Sequence, residues 1–210
     1  MNNYNYSYVN EAVDQYGYST LDIDRLGIGQ STHFTDPINE GQLWLEVAAL
    51  RAVTQMARNA TLPNGCGKAG FQKIVHVGHS FGSSQTYALT AQDPSISDGI
   101  ILTGFSQNGS FASQFILGSN FIEANQIAAL SSYTTGYLAP NAAIGVHIDF
   151  FSPNSFDPNV LQAAYMTGQP VTPGEILTLV GASAKPNNFA HPVLVITGGM
   201  YLAAGLLPKC

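Results

Sequence analysis

The chain has 210 residues, 45% of them hydrophobic and only 10% charged, with a net charge of −6. This apolar content suffices for one buried core but not for two comfortable domains, so a single domain over residues 1–210 is expected. Seven Lys and Arg against thirteen Asp and Glu leave no basic patch for a phosphate backbone, which argues against nucleic acid as a partner.

Cys66 and Cys210 are spaced neither as a metal site nor as a disulfide framework. No apolar run approaches the ~18 residues of a membrane span. The opening Met1-Asn2-Asn3-Tyr4-Asn5-Tyr6 lacks both the basic and the apolar region of a secretory signal. A cytoplasmic chain is therefore expected as written, with secretion open to a chain that begins earlier. Sequons at Asn5, Asn59 and Asn108 stand close to the roughly two that chance gives in a chain this rich in Asn, Ser and Thr.

In chain order, Tyr8, Ala12 and Val13, closed by Gly17, predict a short amphipathic helix over residues 4–16. The alternation of Tyr18-Ser19-Thr20-Leu21-Asp22-Ile23 predicts a strand, and Asp24-Arg25-Leu26-Gly27-Ile28-Gly29 a turn. Leu43, Val47, Leu50 and Val53 predict a helix over 40–60, ended by Pro63-Asn64-Gly65. Lys73-Ile74-Val75-His76-Val77 is a β-branched run suited to a buried parallel strand, and Ser83 to Gln92 reads as a helix stopped by Asp93-Pro94. Ile100-Ile101-Leu102-Thr103 and Pro192-Val193-Leu194-Val195-Ile196-Thr197 are further buried strands. Strands alternating with helices predict an α/β fold with a mostly parallel sheet. Residues 106–190 lose this rhythm and turn rich in Ser, Asn, Pro and aromatics, which predicts an inserted helical cap over the sheet edge where substrates bind in such folds. Its Tyr and Phe residues serve equally to line an apolar acyl pocket or to cover the segment's own core.

Ser80 is the residue best placed for chemistry. It stands in Gly78-His79-Ser80-Phe81-Gly82, between a β-branched strand and a helix. A serine on so sharp a turn needs small neighbours, because the backbone is strained and passes close to itself, and the turn lifts the hydroxyl clear of the sheet. The helix that follows offers the Phe81 N–H to a developing oxyanion. A nucleotide-binding turn is disfavoured, since neither a GxGxxG nor a P-loop lysine pattern is present.

Four stretches, Asp24-Arg25-Leu26-Gly27-Ile28-Gly29-Gln30-Ser31, Val75-His76-Val77-Gly78-His79-Ser80-Phe81-Gly82-Ser83, Ile101-Leu102-Thr103-Gly104-Phe105-Ser106 and Pro192-Val193-Leu194-Val195-Ile196-Thr197-Gly198, resemble the fungal branch of the AB hydrolase-1 (α/β-hydrolase) family. The resemblance runs from about Tyr4 to Gly198. It implies an α/β-hydrolase sheet lacking its first strands and its last, Ser80 as nucleophile, Phe81 as an oxyanion donor, and an ester, thioester, lactone or similar small acyl substrate. It implies no cofactor. Asp24 and Arg25 are expected to pin their loop by ion pairs or hydrogen bonds.

The chain departs from that family at both ends. The HG-type oxyanion loop ahead of the first helix is absent, and losing one such donor costs about 3 kcal/mol of transition-state stabilisation. The tail Gly199-Met200-Tyr201-Leu202-Ala203-Ala204-Gly205-Leu206-Leu207-Pro208-Lys209-Cys210 contains neither the expected acid nor the expected histidine. Among the histidines, His76 reads as a core residue, His79 as the elbow neighbour turned away from the serine, His33 as a loop residue and His191 as lying at the wrong end of the last strand. His147 beside Asp149 is the remaining candidate base. Without a base the serine keeps its proton. A non-catalytic, degenerate α/β-hydrolase-like protein is therefore the alternative, and an acyltransferase on the same scaffold a further one. Glu123 and Glu175 read as surface or helix-capping residues. No metal site is indicated, and the oligomeric state stays open.

Overall fold

The computed structural model describes residues 6–63, 66–67, 69–183 and 185–198. Tyr8–Asn10 is an α-helical turn (α1) that widens into a π-turn over Glu11–Gln15 and stops at Gly17, whose φ of 67° suits a residue without a Cβ. The expected strand at Tyr18–Ile23 does not form: among the described residues no strand lies beside it, and its side chains are exposed. Alternation alone does not order a segment whose backbone groups have no ladder to join.

Leu43–Arg58 forms α2, which buries Leu43 and Val47 as their spacing predicts. Strand β1 spans Val75–His79 and begins two residues later than expected, because the Ile74 N–H donates to the Asp98 carboxylate at 2.8 Å. Helix α3, Phe81–Gln92, starts two residues earlier than expected, directly at the elbow. Strand β2 is Gly99–Thr103. The inserted segment then supplies α4 (Ala112–Ser119), β3 (Phe121–Glu123), β4 (Leu138–Pro140), α5 (Ala143–Phe150), α6 (Pro158–Met166) and α7 (Pro173–Thr178) before β5, Val193–Ile196. It is not purely helical as expected, since β3 and β4 pair antiparallel.

The main sheet runs β1-β2-β5 with every pairing parallel, flanked by helices, a mixed α/β architecture. Register places His76, Gly78, Ile100 and Leu102 on the face covered by α2 and α3. Ser83, Ser84, Thr86, Ala88 and Thr90 of α3 are buried, and their small side chains let the helix lie close on the strands. The opposite face carries Val75, Val77, Leu194 and Ile196, each about half exposed, so among the described residues nothing covers it. Parallel sheets are ordinarily buried on both faces.

Two apolar clusters hold the layers together. Leu43, Val47, Ala88, Leu89, Ile96 and Ala182 join α2, α3 and the end of the inserted segment. Phe34, Ala124, Leu130, Tyr133, Tyr137 and Ala139 form a second, so two of the segment's tyrosines cover a core. Arg58 ties the end of α2 to the sheet through Asp98 at 2.7 Å and the Gln72 carbonyl at 2.9 Å. Among the described residues no helix is long and apolar enough to cross a membrane.

Candidate active site

Strand β1 delivers the chain to Ser80, which turns it into α3 with φ 51° and ψ −115°. This is a left-handed conformation that a residue with a Cβ rarely adopts and that costs about 1–3 kcal/mol. Two hydrogen bonds to one carbonyl hold it: the Ser80 N–H donates to Thr103 O at 2.9 Å and the Ser83 hydroxyl donates to the same oxygen at 2.8 Å. Gly78 is required sterically, because a Cβ there would stand 2.4 Å from the Gly82 carbonyl oxygen. Gly82 is not, since a Cβ on it meets nothing within 4 Å, which corrects the expectation that both glycines are needed. Ser80→Gly is expected to raise stability by about 1 kcal/mol, strain relief exceeding the entropy that glycine adds to the unfolded chain. Urea unfolding of the variant measures it, and a loss of stability would mean that position 80 is unstrained.

Phe81 is the first residue of α3, where a helix offers its N–H no carbonyl of its own. That N–H lies next to Ser80 in the chain. The histidines are not brought to that serine. His76 is buried and bonded at both ring nitrogens, to Thr54 and to Ser97, each at 2.8 Å, and burial together with the nearby Arg58 charge pushes its pKa down to about 4. His79, an exposed residue, has Nδ1 2.9 Å from the Thr103 hydroxyl, which itself donates to Gly78 O, so Nδ1 carries the proton. His33 stacks on Tyr133 with 4.3 Å between centroids and donates from Nε2 to Gly29 O. His191 precedes β5, at the opposite end of the parallel sheet from Ser80, about 20 Å away along the strands.

His147 and Asp149 are not a pair either. Both lie on α5, which packs on α4, α6 and β4. Asp149 accepts a hydrogen bond from the Ser119 hydroxyl, and burial raises its pKa. His147 Nε2 is buried without a partner, its ring against Phe156. The tail 199–210, where the family resemblance places an acid and a histidine, lies outside the described residues. A groove of about 490 Å3, lined by Ile116, Leu117, Phe121, Leu138, Ile176 and Leu177, runs between α4 and α7. Among the described residues no three His, Cys, Asp or Glu side chains gather as a metal site would require.

The loop before α2 is pinned as expected. The Gln30 N–H donates to Asp24 Oδ2 at 2.8 Å. Arg25 reaches further, donating from Nη1 to Glu46 at 2.7 Å and to Glu175, while its guanidinium lies 4.8 Å from the centre of the Phe81 ring. Gln85 of α3 donates to Glu46 as well. Glu175 also closes a capping box with Thr172 at the start of α7, so the capping expectation holds, but it is almost fully buried and not a surface residue. Glu123, the other acid of the segment, accepts the Gly136 N–H at 2.8 Å.

Sequence reasoning passed over Glu46 altogether. The available signal was its place three residues after Leu43 and directly before Val47, on the apolar stripe of α2. No protein-family profile matches the chain, and no curated protein resembles it at a significant level.

Proposed function

We propose that this chain carries the nucleophile of a serine hydrolase of the α/β-hydrolase fold, acting on an ester, thioester, lactone or similar acyl substrate through an acyl-enzyme on Ser80. The backbone of Ser80 supports this above all else: a non-glycine residue is kept at φ 51° between a parallel strand and a helix, with Gly78 admitting the helix against the strand. Strain of that kind persists only where the surroundings enforce it, and it presents the hydroxyl beside the first free N–H of α3. The Ser80 oxygen would attack the acyl carbon, the leaving group would depart with a proton, and water would release the acid. Phe81 N–H would hold the oxyanion.

A second reading, a non-catalytic member of the same fold, is favoured by the histidines, none of which hydrogen-bonds Ser80. Fluorophosphonate labelling of the folded chain separates the two, because the probe demands an activated hydroxyl. The hydrolase reading expects one adduct on Ser80 that disappears in Ser80→Ala. A folded chain that takes no label leaves the non-catalytic reading.

A further inference from the structure

We propose that Glu46 and Glu175 share a single proton over Arg25, and that this shared proton fastens the inserted segment to the elbow layer, so that the fastening loosens in alkaline solution. The inference does not depend on Ser80 being catalytic.

Four parts of the chain meet at this point. Arg25 comes from the loop before α2, Glu46 from α2, Gln85 and the Phe81 ring from α3, and Glu175 from α7. Both carboxyl side chains are 2% exposed, yet one guanidinium serves them both. Two ionised, buried carboxylates on one part-buried cation leave a net negative charge largely out of water, which proteins relieve by keeping a proton. Glu46 Oε2 and Glu175 Oε1 both bond the same nitrogen, Arg25 Nη1, which sets the two carboxyls side by side. Glu46 Oε1 is buried and receives no donor. A proton on Glu46 removes the repulsion and leaves a carboxylic acid beside a carboxylate, an arrangement in which the acid donates.

The surrounding groups point the same way. Burial and the neighbouring Glu175 push the Glu46 pKa up to about 8, against the pull of Arg25. Among the described residues no second cation bonds the two carboxyls: α3 contributes Gln85 and Phe81, Asp24 is turned to the Gln30 N–H, and the Tyr137 phenol that feels Glu175 is itself raised by burial. Because the folded-state pKa lies above the ordinary 4.5, the folded chain holds a proton that the unfolded chain has lost between about pH 4.5 and pH 8. Stability from this group is present in acid, falls as pH rises through that window and levels off above it. Above about pH 8 Glu46 ionises as well, and the hold of α7 on the Arg25 cluster weakens.

The test is a carboxyl 13C titration of the full chain labelled in glutamate, paired with urea unfolding from pH 5 to pH 9 and amide exchange over residues 172–183. The expected result is one glutamate carbon titrating near pH 8, absent in Glu46→Gln, with faster intrinsic-corrected exchange of 172–183 above that pH. The folding constant should fall about 50-fold between pH 6 and pH 8 in the wild type and stay flat in Glu46→Gln. Every glutamate carbon titrating below pH 6 in the folded chain overturns the proposal, and this arm needs no variant to fold. A normal titration near pH 8 with unchanged exchange over 172–183 overturns the fastening role.

Discussion

Alanine at position 78 is expected to destabilise the chain by about 3 kcal/mol, whereas alanine at position 82 should leave stability unchanged or raise it by about 0.5–1 kcal/mol. The new methyl at 78 would meet only backbone: the Gly82 carbonyl at 2.4 Å and the Ser83 Cα at 2.6 Å. Backbone cannot swing aside as a side chain can, so the first turn of α3 must lift off β1. That movement draws the Ser83 hydroxyl from Thr103 O and opens the packing around Leu89, which is fully buried. At 82 the same methyl points into open space from a helical residue, where alanine is the better helix former. Paired urea denaturation of the two variants makes the comparison. Equal losses would mean that strand and helix do not touch at Gly78.

Removing Arg25 should be the more costly change. Arg25→Met strands two buried carboxyls that now have a cation, and breaking such a group from one side costs about 3–5 kcal/mol at neutral pH. The loss should shrink in acid, because protons then replace the missing charge. Arg25→Lys should recover only part of it, since an ammonium that reaches the carboxyls has no delocalised guanidinium to set against the Phe81 ring. Thermal unfolding at pH 5 and pH 7 measures the difference. A loss below about 0.5 kcal/mol at both pH values would give Arg25 the weight of an ordinary surface cation.

The parts of the fold legible in the sequence are those that local pattern controls. The β-branched runs at Val75, Ile100 and Val193 became strands, and the apolar spacing from Leu43 became α2. Ser80 could be singled out because a strand, a tight glycine-flanked turn and a helix follow one another within a few residues. Its strained torsion fits that reading. Tyr18–Ile23 forms no strand because pairing belongs to two segments, and among the described residues no second one lies beside it. The Arg25 network failed for the same kind of reason. Glu46 and Glu175 lie far apart in the chain, and only the packing of α7 against α2 brings them to one guanidinium. The histidines illustrate the converse: five were available, and tertiary structure directs each to a local partner or a wall of the core, none to Ser80.

The register of β5 also governs how the molecule can assemble. Ile100 pairs with Val193, so β2 must wait for about 90 intervening residues before its outer neighbour arrives. Bringing such distant ends together carries a loop-closure cost that no local contact offsets beforehand. The β1-β2 pair and α3 can therefore form early, with an unpaired rim along β2, and β5 docks last. During synthesis that rim is bare for as long as the ribosome takes to release Ile196, at least about 5 seconds at ordinary elongation rates. Slower translation through 106–190 would lengthen the exposure, and the yield of soluble chain should depend on speed there more than on speed before Val75.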